Sequence, residues 1–194
     1  MRHALAAWIL ILILPCVAPS CAGRPETASL SPAYIAEGAP YLLLPPEELE
    51  RPMDMAQQME GRGGGRDFVL QAWVQADERE IRMVWLNALG AEIGRLIFQS
   101  SGLELSSAFL PAGLLPEYIV ADFQLCFYRI AALERALGNA GLALRAESPA
   151  SLDGVERRVI FQGEKKIIVI EKSPGRIRFE NLARGYAYTL RGDF

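Results

Sequence analysis

The most restrictive feature of this chain is a period-two alternation that runs from Phe68 to Phe109. Phe68, Leu70, Ala72 and Val74 alternate with Val69, Gln71, Trp73 and Gln75. After the polar turn Asp77-Glu78-Arg79-Glu80, Ile81, Met83 and Trp85 alternate with Arg82, Val84 and Leu86. Asn87-Ala88-Leu89-Gly90 is a second turn, Glu92 to Gln99 a third strand, Ser100-Ser101-Gly102 a third turn, and Leu103 to Phe109 a fourth strand. Successive side chains of a strand point to opposite faces, so the stretch reads as an antiparallel meander. Both faces carry large apolar groups. Such a sheet has to be covered on both sides or curl around something apolar.

The meander breaks at Pro111-Ala112-Gly113. Pro116 suits a first helical position and Glu117 the favourable first turn. Ile119, Val120, Phe123, Cys126 and Phe127 then fall on one stripe at helical spacing. A second helix runs from Ile130, with Leu133 and Leu137 inward, and stops at Gly138-Asn139. Period two returns with Val155, Arg157, Val159 and Phe161, turns at Gly163-Glu164, continues through Ile167 to Ile170, and turns again at Ser173-Pro174-Gly175. Ile177 and Phe179 lead to a last strand with Tyr186, Tyr188 and Leu190. Strands, helices, strands is the order of an α+β chain, here mainly antiparallel β.

The stretch before the meander is less regular. Residues 22–39 read as a tether, with Pro25 and Pro32 among small residues. Tyr41 to Leu44 is a short apolar run stopped by Pro45-Pro46, and Met53, Met55 and Met59 give a weak strand signal. Gly61-Arg62-Gly63-Gly64-Gly65-Arg66 invites a phosphate-loop reading. A phosphate loop needs a buried strand before it and a helix after it. Neither is present, so the stretch reads as a flexible hairpin loop.

The N-terminus is a targeting segment. Arg2 precedes an apolar run from Ala4 to Leu14, which Pro15 ends. Eleven residues at about 1.5 Å each are too few for a bilayer core of roughly 30 Å. A cleaved signal over residues 1–20 fits better. Ala18-Pro19-Ser20-Cys21 resembles a lipobox, with Ala18 where leucine is commoner. That resemblance implies acylation of Cys21, and in enterobacterial lipoproteins a residue such as Ala22 after the cysteine implies passage to the outer membrane. Two acyl chains anchor a protein stably, so attachment needs nothing from the folded domain.

Composition excludes several function classes. The full chain has 20 Lys+Arg against 23 Asp+Glu, a net charge of −3, and loss of Arg2 with the signal brings it to −4. There is no basic block to neutralise phosphates, so no nucleic-acid partner is expected. The one histidine, His3, lies in the signal. Histidine-based triads are therefore excluded, and the chain is expected to be no enzyme. No metal and no cofactor are expected, because carboxylates and one thiol are a poor zinc set. Cys126 is left alone after Cys16 is cleaved off and Cys21 acylated, and reads as buried filler.

Further residues carry a family resemblance. Pro116-Glu117-Tyr118-Ile119-Val120-Ala121-Asp122-Phe123-Gln124-Leu125-Cys126-Phe127-Tyr128 resembles the proline-glutamate helix of a bacterial outer-membrane lipoprotein family of unknown function, DUF3261. Leu86-Asn87-Ala88-Leu89-Gly90 resembles its leucine-glycine turn, and residues 157–161 and 181–186 its closing strands. The likeness covers residues 40–191, taken here as a single domain. Tyr128 stands where the family often has Trp. The layout is more distantly similar to LolB, the outer-membrane lipoprotein receptor.

What the LolB resemblance implies is a half-open β-barrel of LolA/LolB type, with helices closing one end around a cavity for acyl chains. The cargo would be a lipoprotein or a lipid-linked product such as an aryl polyene, at the periplasmic face of a Gram-negative outer membrane. Leu89 matches the protruding leucine of that family's hairpin turn, with Ala88 in place of proline. It either touches the bilayer or folds back on a neighbouring strand. Trp73, Trp85, Phe98, Phe109, Phe123, Phe127 and Phe161 either line a pocket or fill an ordinary core. A structural lipoprotein that docks an envelope complex is the competing function. Arg157-Arg158 and Lys165-Lys166 read as solvated strand ends, and Asp122 as a partner for an arginine such as Arg129.

Overall fold

The protein is described here from a computed structural model, which covers residues 30–63, 65–107, 115–147 and 154–194. A small hairpin comes first, β1 (Ala33–Ala36) and β2 (Ala39–Tyr41), followed by a single 3-10 turn at Pro46–Glu48. Five strands succeed one another: β3 (Met53–Gly63), β4 (Arg66–Ala76), β5 (Glu80–Leu86), β6 (Glu92–Gln99) and β7 (Gly102–Ser107). Two helices follow, α1 (Pro116–Phe127) and α2 (Ile130–Asn139). The chain closes with β8 (Ala143–Glu147), β9 (Glu156–Gln162), β10 (Lys165–Ser173), β11 (Arg176–Asn181) and β12 (Tyr186–Gly192).

Ten strands form one antiparallel sheet in the order β7-β6-β5-β4-β3-β12-β11-β10-β9-β8. Neighbouring strands of the sheet are consecutive in the chain except β3 and β12, which bring the two ends of the domain together. The edges are β7 and β8, and α1 and α2 lie between them in the chain. The sheet therefore does not close on itself. It does curl. α1 touches β7 at one edge, β12 in the middle and β9 next to the other edge. One helix reaches all three only if the sheet wraps around it. The result is the half-open antiparallel barrel with helices that the resemblance implied.

Register assigns each side chain to a face, because directly paired residues share one. The row Gly94, Trp85, Ala72, Gln57 and Gly192 runs across the inner face, as does the row Tyr188, Gly61 and Phe68. Met83, Leu96, Phe98, Ile168, Ile170, Ile177 and Phe179 are inward and buried. They join Val120, Phe123, Leu125 and Phe127 of α1 in one continuous core. The outer face carries Arg62, Val69, Trp73, Arg82 and Arg95. The alternation in the sequence thus separates a core face from a solvent face.

Three local readings change. The tether expected up to Ala39 is shorter, because residues 33–41 form the β1–β2 hairpin with Ala33, Ile35, Ala39 and Tyr41 buried. The glycine-rich stretch is largely strand: Gly63 pairs with Arg66, and β3 and β4 run unbroken up to them. Gly61 is needed there. A Cβ on it would meet the Ala187 carbonyl oxygen at 2.6 Å, Tyr188 Cβ at 2.7 Å and Phe68 Cζ at 2.8 Å. The edge strand β8 is an addition, exposed over most of its length and without an apolar alternation to announce it.

Candidate functional site

The β5–β6 turn presents one apolar side chain to solvent. Asn87 organises it: Leu89 N and Ala91 N donate to Asn87 Oδ1 at 2.9 and 3.0 Å, and Gly90 N donates to Asn87 O at 2.9 Å. Gly90 takes φ +78°, the left-handed region where glycine carries no penalty. Leu89 is thereby held at the tip, 92% exposed. It does not fold back on a neighbouring strand. On the outer face of β4, Val69 and Trp73 are also exposed, at 64% and 44%.

The inner face is dominated by α1 and the polar contacts that hold it. Gln124 is fully buried, accepts from the Tyr41 hydroxyl at 2.9 Å and from Leu44 N at 3.0 Å, and donates to the Leu44 carbonyl at 2.7 Å. Burial pushes the Tyr41 hydroxyl well above its ordinary range, which keeps it a neutral donor. At the C-terminal end of α1, Arg158 donates to the carbonyl oxygens of Leu125 and Tyr128, both at 3.0 Å. Helix ends leave such carbonyls without intrahelical partners, and a guanidinium supplies two donors at once. Arg158 is only 1% exposed and is also bonded to Glu156 and Glu50.

A third contact lies on the opposite flank. Tyr186 donates to the carboxylate of Asp122, and Tyr188 approaches it at 3.4 Å. Burial pushes the Asp122 carboxyl up to about 7, against the hydrogen bonds from both tyrosines and the charge of Arg184. Tyr186 and Tyr188 stack with Phe179, with centroids 6.0 and 4.8 Å from it. Arg184, in the β11–β12 turn, lies 3.8 Å over the Tyr118 ring and donates to the Tyr34 carbonyl. Cys126 is a buried residue of α1, and burial with the Asp122 charge pushes its thiol up to about 12. A thiol so shielded is inert packing.

One cavity opens at an end of the barrel, where β3 begins and β10 turns into β11. It holds about 350 Å³ and is lined by Met53, Phe127, Ile177 and Phe194, with Glu50, Arg51, Glu156 and Lys172 among its polar residues. A second, of about 580 Å³, lies between Leu42 to Leu44 and α2. Among the described residues, no three His, Cys, Asp or Glu side chains are grouped as metal ligands.

A family model for a protein of unknown function, DUF3261, matches residues 54–191. The chain belongs to that family. The matched span begins in β3 and ends in β12, so all but the first residue of β3 and the last of β12 in the ten-stranded sheet, and both helices, fall within the DUF3261 region. The β1–β2 hairpin precedes it. No curated protein matches the chain. Among solved structures, a LolA superfamily protein from Nitrosomonas europaea aligns at a TM-score of 0.35 and 11% identity, covering 86% of this chain and 93% of that one.

The aromatic residues singled out in this DUF3261 chain divide by face. Trp85, Phe98, Phe123 and Phe127 converge in the core, with Phe123 and Phe127 rings 4.8 Å apart. Of these, Phe127 also lines the 350 Å³ cavity. Trp73 is outward, as its place opposite Ala72 and Val74 in the alternation dictates. Phe161 is outward too, buried under the Arg145 guanidinium 4.5 Å over its ring. Phe109 and Cys21 lie outside the described residues.

Two polar readings are corrected. Arg158 is not a solvated strand end. Alternation on β9 places it inward with Ile160, opposite Val159, and the residue pattern held that signal. Asp122 does not pair with Arg129, whose partners are Glu48 and the Glu47 carbonyl. Sequence reasoning also missed Gln124, because a glutamine on a helical stripe carries no signal until its partners are in place.

Proposed function

We propose that this chain is a non-enzymatic lipoprotein, anchored by acylated Cys21 to the periplasmic face of the outer membrane. There it binds or passes on an acylated or amphiphilic cargo, a lipoprotein or a lipid-linked product such as an aryl polyene. The observation that carries this reading is the braced exposure of Leu89 at 92%. Burying one leucine in lipid contributes roughly 1.5–3 kcal/mol, too little to anchor and enough to engage a bilayer already at hand. The family membership and the curled sheet with an amphipathic cavity at one end support it.

The test is Leu89→Glu, made in cells at the native protein level. An envelope-barrier defect equal to that of a deletion, with a reduced amphiphile load by native mass spectrometry, is the expected outcome. A normal barrier and an unchanged load overturn the reading. Metabolic labelling with palmitate examines the anchor separately: label is expected on the wild-type chain and absent after Cys21→Ser.

A second reading is favoured by a specific observation. Trp85, Phe98 and Phe123 are packed in the core, and α1 is fixed by Gln124 and Arg158. An interior so filled suits a structural lipoprotein that docks an envelope complex. Native mass spectrometry of the chain extracted from membranes separates the two, since a scaffold carries no co-purifying amphiphile.

A further inference from the structure

We propose that the protein stands on a lipid bilayer through one rim of its sheet, with Leu182 as a second contact in addition to Leu89 and the cavity of about 350 Å³ turned away from the membrane. This rests on the acylated anchor of the reading above and adds the surface that meets the lipid. Successive turns of an antiparallel sheet alternate between two rims. The β3–β4, β5–β6, β9–β10 and β11–β12 turns share one rim, and the β4–β5, β6–β7 and β10–β11 turns share the other, where the cavity opens.

The two rims show different chemistry to solvent. Asn181 opens the β11–β12 turn as Asn87 opens the β5–β6 turn. Asn181 Oδ1 accepts from Arg184 N at 2.9 Å, Gly185 N donates to Asn181 O at 2.9 Å, and Gly185 takes φ +69°. Leu182 N donates to the Ile167 carbonyl at 2.8 Å, which ties the turn to β10. Leu182 is thereby held 47% exposed. Leu115, 51% exposed, caps α1 at the same rim, since Tyr118 one turn further on lies under Arg184. The turns of the opposite rim, residues 77–79, 100–101 and 174–175, contain no leucine, isoleucine, valine or aromatic residue.

The chain also arrives at the rim that carries the leucines. Arg184 Nη1 donates to the Tyr34 carbonyl at 2.6 Å, and Gln162 Nε2, at the end of β9, donates to the Glu37 carbonyl at 2.9 Å. The β1–β2 hairpin is fastened there at both points. Twelve residues lead from Cys21 to Ala33, a reach of roughly 40 Å at full stretch. The eleven residues of β3 rise about 36 Å along a tilted strand, so the two rims stand roughly 30 Å apart. Setting the opposite rim on the bilayer would take up most of that reach and the conformational freedom that goes with it. Setting this rim there takes up little. Charge does not select the lipid: Lys165 and Lys166 follow Glu164 in the β9–β10 hairpin, and Arg62 is paired with Asp67. The contact is apolar and needs no anionic headgroup.

The test uses the full chain, purified from membranes and reconstituted into phosphatidylcholine vesicles that contain nitroxide-labelled phosphatidylcholine. Leu89→Cys and Leu182→Cys place a bimane fluorophore on one rim, and Arg79→Cys and Ser101→Cys place it on the other. Cys126 is buried and stays unlabelled. The expected result is strong quenching at positions 89 and 182 and none at 79 and 101. Leu182→Asp should lower the bound-to-free ratio read at position 89 by about tenfold, the low end of one leucine's transfer, and Leu182→Met should retain it. Quenching at 79 or 101 equal to that at 182 overturns the orientation and leaves the anchor standing. Quenching at 89 without quenching at 182 overturns the second contact. Protection of 182 that grows with protein concentration puts a second copy on the rim and overturns the proposal. A chain that does not sediment with the vesicles overturns the anchor and the proposal together.

Discussion

The hydroxyl of Tyr186 lies 2.9 Å from each carboxylate oxygen of Asp122, and through that contact β12 holds the middle of α1. Asp122 has an ordinary value of 3.8 and is pushed up to about 7 by burial. The folded state therefore keeps its proton over a range in which the unfolded chain has lost it. Stability from this group is fully present below about pH 4 and is lost as pH rises through about 7. The expected loss is on the order of a few kcal/mol. Urea midpoints at pH 5 and pH 8 check it: the wild type should be more stable at pH 5, and Asp122→Asn should flatten the difference. Glu156 acts in the other direction but lower. Burial raises its carboxyl, yet Arg158 and Lys172 hold it below the usual range, so its contribution is lost only under stronger acid.

Arg158→Met should be among the most damaging single changes. It leaves Glu156 without its nearest cation, and strips the Leu125 and Tyr128 carbonyls of a donor. Breaking a buried pair from one side costs about 3–5 kcal/mol. Chemical denaturation measures it. Adding Glu156→Gln should recover part of the loss, because the orphaned charge is then gone.

Gly61→Ala should destabilise by about 1–3 kcal/mol, the usual cost of overpacking. Adding Phe68→Ala should not rescue it. Removing the ring clears one of the three clashes, but the Ala187 carbonyl and Tyr188 Cβ belong to β12 and its hydrogen-bonded register with β3. A double variant as stable as Phe68→Ala alone would show that the strand can yield.

Much of this fold is legible in the sequence because alternation has a direct physical cause. The expected strands at 68–76, 81–86 and 92–99 fall within observed elements, and Pro116 opens α1 as its missing N–H allows. Leu89 at a turn tip followed from the same reading. The failures are of another kind. Gly61 and Gly63 lower strand propensity, yet tertiary crowding at Tyr188 overrides it. Arg158 was read by its charge and not by its parity with Ile160. Gln124 and Asp122 depend on Leu44, Tyr41 and Tyr186, which lie 64 to 83 positions away in the chain. No local window holds such information.

The seam between β3 and β12 has a consequence for biogenesis. Met59 meets Leu190 and Gln57 meets Gly192, so the centre of the sheet is stitched from the first and last long strands to emerge during synthesis. Each half can zip its own hairpins early, but the wrap around α1 has nothing to close against until the final residues arrive. Such distant closure is slow. A polypeptide emerging from its N-terminus would spend that interval with Met-rich β3 unpaired on one side, a span in which a chaperone has an obvious place to bind.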